Sequence, residues 1–98
     1  MNIDNIVSKH MNPLEPNMTV PFYLMASYAY YKQDDPILSD GMFDALGKFM
    51  YSNWDNIDHF HKHLITKDDL NAGTYLGEYP ERVKGGLMSL RETYKGGK

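Results

Sequence analysis

The chain contains no cysteine, which excludes a disulfide framework, a thiolate metal site and a cysteine nucleophile. It also lacks an excess of basic residues, since 10 Lys and Arg stand against 13 Asp and Glu and the formal charge is -3. A phosphate-binding surface normally needs clustered Lys and Arg, so we expect no direct binding to nucleic acid. The absence of thiol chemistry fits a reducing compartment, and we expect a cytoplasmic protein.

Long apolar runs are missing as well, since none approaches the roughly 20 residues of a membrane-spanning helix. Residues 1–10 carry Asp4 and Lys9 around short apolar pieces, unlike a signal peptide. At 98 residues, with 42% hydrophobic residues, the chain has enough apolar surface for one modest core and too little length for two. We therefore expect one soluble domain that does not enter a membrane.

Helical periodicity in the middle of the chain predicts an all-α fold built on a helical hairpin. The first helix is predicted to begin with Thr19 as its N-cap and to run to about Lys32. One side of this helix is predicted to pack into the core. An adjacent side, formed by Tyr23, Ser27 and Tyr30, is predicted to contribute to a binding site. Pro21 is acceptable in the first turn of this helix, because a backbone N–H there has no intrahelical hydrogen-bond partner.

A tight turn over residues 33–36 separates the first helix from the second, because Pro36 forces the preceding residue out of helical backbone. Ser39 is predicted to cap the second helix, and Asp40 to stabilise its positive end. The apolar face of this helix comprises Phe43, Leu46, Gly47, Met50 and Tyr51. Gly47 allows close approach of a partner helix at a cost of about 1 kcal/mol in helix propensity.

The chain as a whole is predicted to divide into three parts. They are an N-terminal arm (1–19), a helical domain that contains the hairpin (20–74), and a C-terminal helix with a frayed tail (75–98). The arm has at most one helical turn near residues 3–8 and lies across the hairpin. A short helix or irregular turn over residues 52–63 is expected to close the open end of the core with Trp54, Ile57 and Phe60.

Local signals place two further helices after this segment. Thr66 has the position of an N-cap for a short helix through Leu70, which ends at residues 71–73. Pro80 has the position of a first-turn residue for a helix that runs to about Thr93, although Gly85 and Gly86 weaken it.

The hairpin is expected to bring one aromatic and acidic cluster to its end. The cluster comprises Tyr30, Tyr31, Asp40, Phe43 and Asp44. Aromatic faces stack on flat heterocycles and carboxylates accept hydrogen bonds from ribose hydroxyls, so the cluster suits a nucleotide. In the alternative interpretation the rings belong to the core, Asp40 only interacts with the helix dipole, and Asp44 pairs with Lys48 in solvent.

Residues 30–46 read Tyr-Tyr-Lys-Gln-Asp-Asp-Pro-Ile-Leu-Ser-Asp-Gly-Met-Phe-Asp-Ala-Leu. This segment resembles, without a gap, the small N-terminal Ia domain of bacterial NAD-dependent DNA ligases. In that family Tyr, Asp-x-Pro, Ser-Asp and Tyr-Asp-x-Leu follow one another at the same spacing. Residues 79–86 are faintly similar to the Ser-Pro-Thr-Gln-Arg-Val-Gly-Gly segment that follows the Ia domain.

The resemblance implies a helical domain that closes over the nicotinamide mononucleotide (NMN) half of NAD. The matching positions are Tyr30, Tyr31, Asp40, Phe43 and Asp44. Tyr31 stands where histidine is common in the family, and Phe43 where tyrosine is usual. The chain has no Lys-x-Asp-Gly motif of the nucleotidyl-transfer lysine and no length for an adenylation domain. We therefore expect no enzymatic activity; NMN or NAD is a candidate ligand, and no cofactor is assigned.

A second cluster is formed by the alternating histidines His59, His61 and His63. Helical or extended backbone would place two or three imidazoles on one side, where they can bind Zn²⁺. No cysteine and no His-Glu-x-x-His pattern accompanies them, and Lys62 lies among them. We prefer a solvated, pH-responsive loop and assign no metal site.

Two functions remain open at this point. The preferred one is a small non-catalytic interaction or accessory protein, of the kind that bacteriophages encode, which engages a partner protein through exposed Tyr and Met side chains. The alternative is an NMN- or NAD-binding module that works in trans with a separate nucleotidyltransferase.

Overall fold

Five α-helices and no β-strand occur among residues 1–73, 75 and 77–96, which the computed structural model describes. The helices are α1 (Asp4–His10), α2 (Thr19–Tyr31), α3 (Asp40–Ser52), α4 (Lys67–Ala72) and α5 (Glu81–Gly96). Two 3₁₀ turns, Trp54–Asn56 and Lys62–Leu64, lie between α3 and α4. The predicted all-α class is confirmed. Within these residues no helix is long and apolar enough to cross a membrane.

Helix α2 lies at the centre of the fold, in contact with α1, α3 and α5. Nine of its 13 residues are buried, and at 3.6 residues per turn they occupy every side of the helix. Such a helix belongs to the interior rather than to a surface. The prediction that Tyr23 and Ser27 form an open, site-forming side is therefore wrong, since both residues are fully buried.

Thr19 is the first residue of α2 but does not cap it, contrary to the sequence prediction. Met18 occupies the N-cap position, and no side chain accepts from the free N–H groups there. The Thr19 hydroxyl instead donates to the carbonyl of Pro16 at 2.5 Å. This hydrogen bond satisfies a hydroxyl that is fully buried. Pro21 lies in the first turn of α2, as predicted.

The turn between α2 and α3 is anchored on both sides. Ile37 and Leu38, which follow the turn, are buried. The backbone N–H of Asp35 donates to the Ala29 carbonyl at 2.9 Å, which folds the turn back onto the end of α2. Asp34 adopts a positive φ of 49°, a conformation that aspartate tolerates better than most residues.

Helix α1 contacts both α2 and α3, as predicted for an arm that lies across the hairpin, but its seven residues exceed the single helical turn that was predicted. Its apolar contacts come from Ile3 and Val7, both of which belong to the core. Its carboxylate, Asp4, binds Ser39 at the start of α3. Ser39 caps α3 as predicted, because its hydroxyl accepts a hydrogen bond from the Met42 N–H at 3.1 Å.

The segment between α3 and α4 closes the core only in part. Ile57 is buried and Trp54 is half-buried, as expected for residues that cover the hairpin. Phe60, however, is 60% exposed, so the prediction that it closes the core is wrong. The chain turns twice within this stretch, and the second turn directs the Phe60 ring towards solvent rather than inward.

Helix α4 has the predicted N-cap and the predicted stop. Thr66 and Asp69 form a capping box, in which each side chain accepts a hydrogen bond from the other's backbone N–H. Gly73 ends the helix in the left-handed conformation, with φ of 74°. The predicted domain boundary at residue 74 and the tail residues 97–98 lie outside the described residues.

Two tyrosines organise the approach to α5. The Tyr75 hydroxyl donates to the Glu78 carbonyl, and the Tyr79 hydroxyl donates to the Tyr75 carbonyl at 3.1 Å. The Tyr79 ring packs edge-on against Tyr75 and against Tyr28 of α2. A Cβ atom at Gly77 would come within 2.9 Å of three atoms of the Tyr75 ring and hydroxyl, so this close contact requires glycine.

Helix α5 begins at Glu81, one residue after the predicted first-turn Pro80, and packs against α2. Val83 and Leu87 form its buried side. The helix continues to Gly96, beyond the end predicted near Thr93. The two central glycines do not interrupt it, because burial of one apolar side supplies stability that helix propensity lacks.

Candidate functional site

The structure assembles the aromatic part of the predicted cluster where α2 and α3 meet. The Phe43 ring lies parallel to the Tyr23 ring, with centroids 5.2 Å apart and planes at 7°. It is also parallel to the Tyr30 ring, at 6.3 Å and 5°. The Tyr31 ring packs edge-on against Tyr30, with centroids 4.9 Å apart. Phe43 therefore joins a buried ring to an exposed one across the hairpin.

The exposed aromatic surface of this cluster belongs mainly to Tyr30, which is 44% exposed. Tyr31 is half-buried, and its hydroxyl lies 3.5 Å from the Gly73 carbonyl at the end of α4. Burial and the neighbouring Tyr30 raise the pKa of the Tyr31 hydroxyl, which remains a proton donor. These contacts tie Tyr31 to the fold and leave the Tyr30 ring free to meet another molecule.

The two carboxylates of the predicted cluster have separate roles in the structure. Asp40 is the exposed first residue of α3, where it faces the positive end of the helix dipole. The Asp44 carboxylate pairs with the Lys48 ammonium at 2.9 Å on the outer face of α3, and both side chains are mostly exposed. This is the pairing of the alternative interpretation, and such a pair contributes about 0.3–0.5 kcal/mol.

A first cleft, of about 850 Å³, lies between α5 and the α2–α3 turn. Its cations are held by carboxylates of the protein itself. Arg91 contacts the Asp35 carboxylate at 3.0 Å and donates to the Gln33 side chain. The Lys84 ammonium lies 3.4 Å from the carboxylate of Glu81, which precedes it by one turn of the same helix. The Arg91 contacts attach α5 to the turn, whereas the Lys84–Glu81 pair lies within α5 itself.

A second, smaller depression of about 210 Å³ lies where the start of α2, the loop before the second 3₁₀ turn and the start of α5 come together. We call it the Phe60 groove. Apolar side chains and positively charged or titratable side chains share its lining, which comprises Met18, Pro21, Met25, His59, Phe60, His61, Arg82, Val83 and Gly86. No carboxylate is among these residues.

Hydrogen bonds fix the loop that carries Phe60. The Asp58 N–H donates to the Asn17 side chain at 2.7 Å, which joins this loop to the segment before α2. The His61 N–H donates to the Nδ1 atom of His59 at 3.1 Å, and the Phe60 carbonyl lies 2.7 Å from the Nδ1 atom of His63. Phe60 is therefore held outward by a structured turn.

The charged and aromatic groups around Phe60 are close to one another. The Phe60 ring centroid lies 4.0 Å from that of His61 and 4.9 Å from that of His59. The guanidinium carbon of Arg82 lies 5.4 Å from the Phe60 ring centroid, within the range of a cation–π contact. Arg82 thus reaches across the groove from α5 to the loop.

The two histidines of the groove are shifted towards their neutral forms. Burial lowers the pKa of His59, and the adjacent Asp58 opposes this change in part. Burial also lowers the pKa of His61, and the positive charges of His59, His63 and Arg82 lower it further. Both shifts favour the uncharged rings, so Arg82 supplies the fixed positive charge of the groove.

No protein-family model, curated protein or solved structure matches this chain. The resemblance of residues 30–46 to the ligase Ia domain therefore stays a prediction from the sequence.

The predicted metal-binding alternative concerns the same loop. Among the described residues, no group of three or more His, Cys, Asp or Glu side chains is arranged to hold a metal ion. The His61 Nε2 atom is buried and has no hydrogen-bond partner in this part of the chain. His59 and His61 contribute to the wall of the Phe60 groove.

Sequence reasoning did not find the Phe60 groove. Its lining residues come from segments far apart in the chain. Met18 precedes α2 and Met25 lies within it, Phe60 lies in the loop after α3, and Arg82 lies in α5. The one local signal was a phenylalanine between histidines, since such polar neighbours are unusual for a residue that closes a core.

Proposed function

We propose that this protein is a small non-catalytic interaction protein that binds a segment of another protein in the Phe60 groove. The observation that carries the proposal is the exposure of Phe60, whose ring is 60% exposed on a hydrogen-bonded turn. Burial of a large apolar side chain contributes about 1.5–3 kcal/mol, so a ring held in solvent is a source of binding energy.

The side chains beside Phe60 suit a protein contact. Met18 is 46% exposed at the rim, and Met25 forms part of the floor. Methionine is flexible and polarisable, so it adapts to the shape of a partner side chain. Aromatic and arginine side chains carry a large share of binding energy at protein interfaces, and Phe60 and Arg82 supply one of each.

The size of the groove also favours a peptide segment over a cofactor. Its volume of about 210 Å³ lies below the roughly 300–1,000 Å³ of pockets that enclose small-molecule ligands. One or two apolar side chains fill such a space, while the rest of a partner segment lies along the surface. An accessory protein of this kind acts by positioning its partner.

The second candidate is a nicotinamide nucleotide site at Tyr30, as the ligase resemblance implies. It is favoured by the exposed Tyr30 ring, which is parallel to Phe43 and offers a face for stacking. It is weakened by the pairing of Asp44 with Lys48, since a ribose hydroxyl would have to compete for that carboxylate. We therefore place the nucleotide module second.

Amide NMR titration of the full chain distinguishes the two candidates. The probes are NMN, NAD, AMP and a capped, uncharged peptide that contains one Phe and two Leu among Gly and Gln. We expect the peptide to shift the amide signals of Met18, Phe60 and Val83, and millimolar nucleotides to shift none. Saturable nucleotide shifts at Tyr30 and Asp40, lost in Tyr30→Ala, together with no response to the peptide, would overturn the proposal.

A further inference from the structure

We infer that the segment bound in the Phe60 groove is acidic, with a carboxylate beside its apolar side chain, and that Arg82 binds this carboxylate. This inference rests on the proposed function. It specifies the chemical class of the partner.

The first argument is the sign of the local charge. The chain as a whole is acidic, with a formal charge of -3. The lining of the groove has the opposite sign, since Arg82 is its one fixed charge and it contains no Asp or Glu, while its two histidines are shifted towards their neutral forms. A positive patch on an acidic protein favours an acidic partner and disfavours a basic one.

The second argument is that the Arg82 guanidinium is not engaged by a carboxylate of the protein. In the described part of the chain, no carboxylate lies within 4.0 Å of it. Arg91 on the same helix provides the contrast, since it contacts the Asp35 carboxylate at 3.0 Å and the Gln33 side chain. Arg82 therefore keeps its planar set of N–H donors for a bidentate contact with an external carboxylate.

The third argument is the position of Arg82 in the first turn of α5, a helix of 16 residues. A cation there is adjacent to the positive end of the helix dipole, which disfavours it. The position of Arg82 therefore does not serve the stability of the helix.

The fourth argument is geometric. The guanidinium carbon of Arg82 lies 5.4 Å from the centroid of the Phe60 ring. Two adjacent residues of a bound segment can therefore contact the cation and the apolar surface at the same time. A segment that places Leu or Phe against Met18 and Phe60 brings its neighbouring residue close to Arg82. An acidic neighbour completes both contacts at once. Nucleic acid is a poorer match, because its binding needs several clustered cations.

The experiment compares three capped peptides that share the same Phe and Leu residues. They differ only in the residue at the remaining polar positions, which is Glu in one peptide, Gln in the second and Lys in the third. Affinities are measured by amide NMR shifts at low ionic strength. We expect the Glu peptide to bind about tenfold more tightly than the Gln peptide, because a hydrogen-bonded pair of opposite charges accounts for a difference of this size. The Lys peptide should bind no more tightly than the Gln peptide. Added salt should reduce the preference for Glu.

Two variants assign this preference to Arg82. Arg82→Gln should reduce the affinity for the Glu peptide to that for the Gln peptide, without changing the latter. Lys84→Gln is the matched control, because Lys84 carries the same charge on the same helix but lines the other cleft. It should keep the preference within about twofold of the wild type, as expected for a screened exposed charge.

The possible failures are distinct. If none of the peptides binds, the proposed function itself is overturned. If the Glu and Gln peptides bind equally at the groove, the acidic partner is wrong and the interaction function stands. Equal losses in Arg82→Gln and Lys84→Gln would assign the preference to general charge rather than to Arg82, and would also overturn the inference.

Discussion

The Asp4 carboxylate accepts two hydrogen bonds from Ser39, one from the backbone N–H at 3.0 Å and one from the hydroxyl at 2.7 Å. The Ser39 hydroxyl in turn accepts from the Met42 N–H at 3.1 Å. One serine therefore caps α3 and attaches α1 to it. The hairpin and the N-terminal helix are joined through a polar contact as well as through the core.

Removal of either partner should destabilise the fold. We expect Ser39→Ala to lower the free energy of unfolding by about 1 kcal/mol, since it removes the cap, and Asp4→Ala to lower it by a similar amount. The double variant should lose less than the sum, because both changes break the same contact. Urea unfolding of the four proteins measures these values. Full additivity would show that the two residues act independently.

Acid should weaken this contact in a defined direction. Burial alone would raise the pKa of Asp4, but hydrogen bonds from the Ser39 hydroxyl, the Ser39 amide and the Asn2 side chain lower it below the ordinary value of 3.8. Because the pKa is lower in the folded state, the stabilisation is present at pH above 3.8 and is lost as the pH falls through the folded pKa.

Asp4→Asn isolates this effect. We expect it to be less stable than the wild type at neutral pH, and the difference between the two proteins to shrink at a pH well below 3.8. Urea unfolding at both pH values provides the measurement. A difference that does not change with pH would mean that the Asp4 charge contributes nothing to the contact.

The N-caps at Ser39 and Thr66, and the start of a helix within one residue of Pro80, could be predicted from the sequence. Each acts on backbone groups within four residues, so the signal is local. The burial of Tyr23 could not be predicted, because it depends on how three other helices surround α2. The exposure of Phe60 depends likewise on the path of a turn.

In the candidate site, too, contacts set by local spacing could be predicted, and contacts set by the tertiary fold could not. The pairing of Tyr30 with Phe43 and of Asp44 with Lys48 follows from helical spacing and from the hairpin. The Phe60 groove does not, because Arg82 and Phe60 meet only when α5 packs against α2. Contacts between distant segments are set by the tertiary fold and leave no periodic pattern.

Gly47 was predicted to allow close approach of a partner helix, and α4 does lie beside it, but the structure leaves space for a methyl group there. A Cβ atom at this position would lie 3.6 Å from the Leu70 carbonyl oxygen and 3.9 Å from the Tyr23 ring, which are ordinary contact distances. We expect Gly47→Ala to raise the free energy of unfolding by about 1 kcal/mol through helix propensity. Thermal or urea unfolding tests it, and a loss of stability would contradict it.

Gly77→Ala is the matched control for this prediction. Here the added Cβ would lie 2.6 Å from the Tyr75 hydroxyl oxygen, so the buried ring would have to move. We expect a loss of about 1–3 kcal/mol from overpacking. The same chemical change should therefore have opposite signs at the two glycines.

The Tyr23 hydroxyl is buried and has no hydrogen-bond partner among the described residues. Burial raises the pKa of Tyr23 far above its ordinary value, with a further contribution from Asp69. We expect Tyr23→Phe to raise the free energy of unfolding by about 1 kcal/mol, since it removes an unsatisfied polar group. Tyr75→Phe should lower it, because the Tyr75 hydroxyl donates to the Glu78 carbonyl. A loss in Tyr23→Phe, measured by urea unfolding, would show that its hydroxyl is bound.

The most direct test of the interaction function is the affinity of the Glu peptide for two matched variants. Phe60 and Leu14 are both exposed apolar loop residues, at 60% and 89%, and Leu14 does not line the groove. We expect Phe60→Ser to weaken binding by about tenfold or more, as loss of a buried aromatic contact predicts, and Leu14→Ser to leave it unchanged. Both variants should keep the wild-type amide spectrum outside the changed loop. Unchanged binding by Phe60→Ser, or an equal loss in both variants, would contradict the Phe60 groove as the site of partner binding.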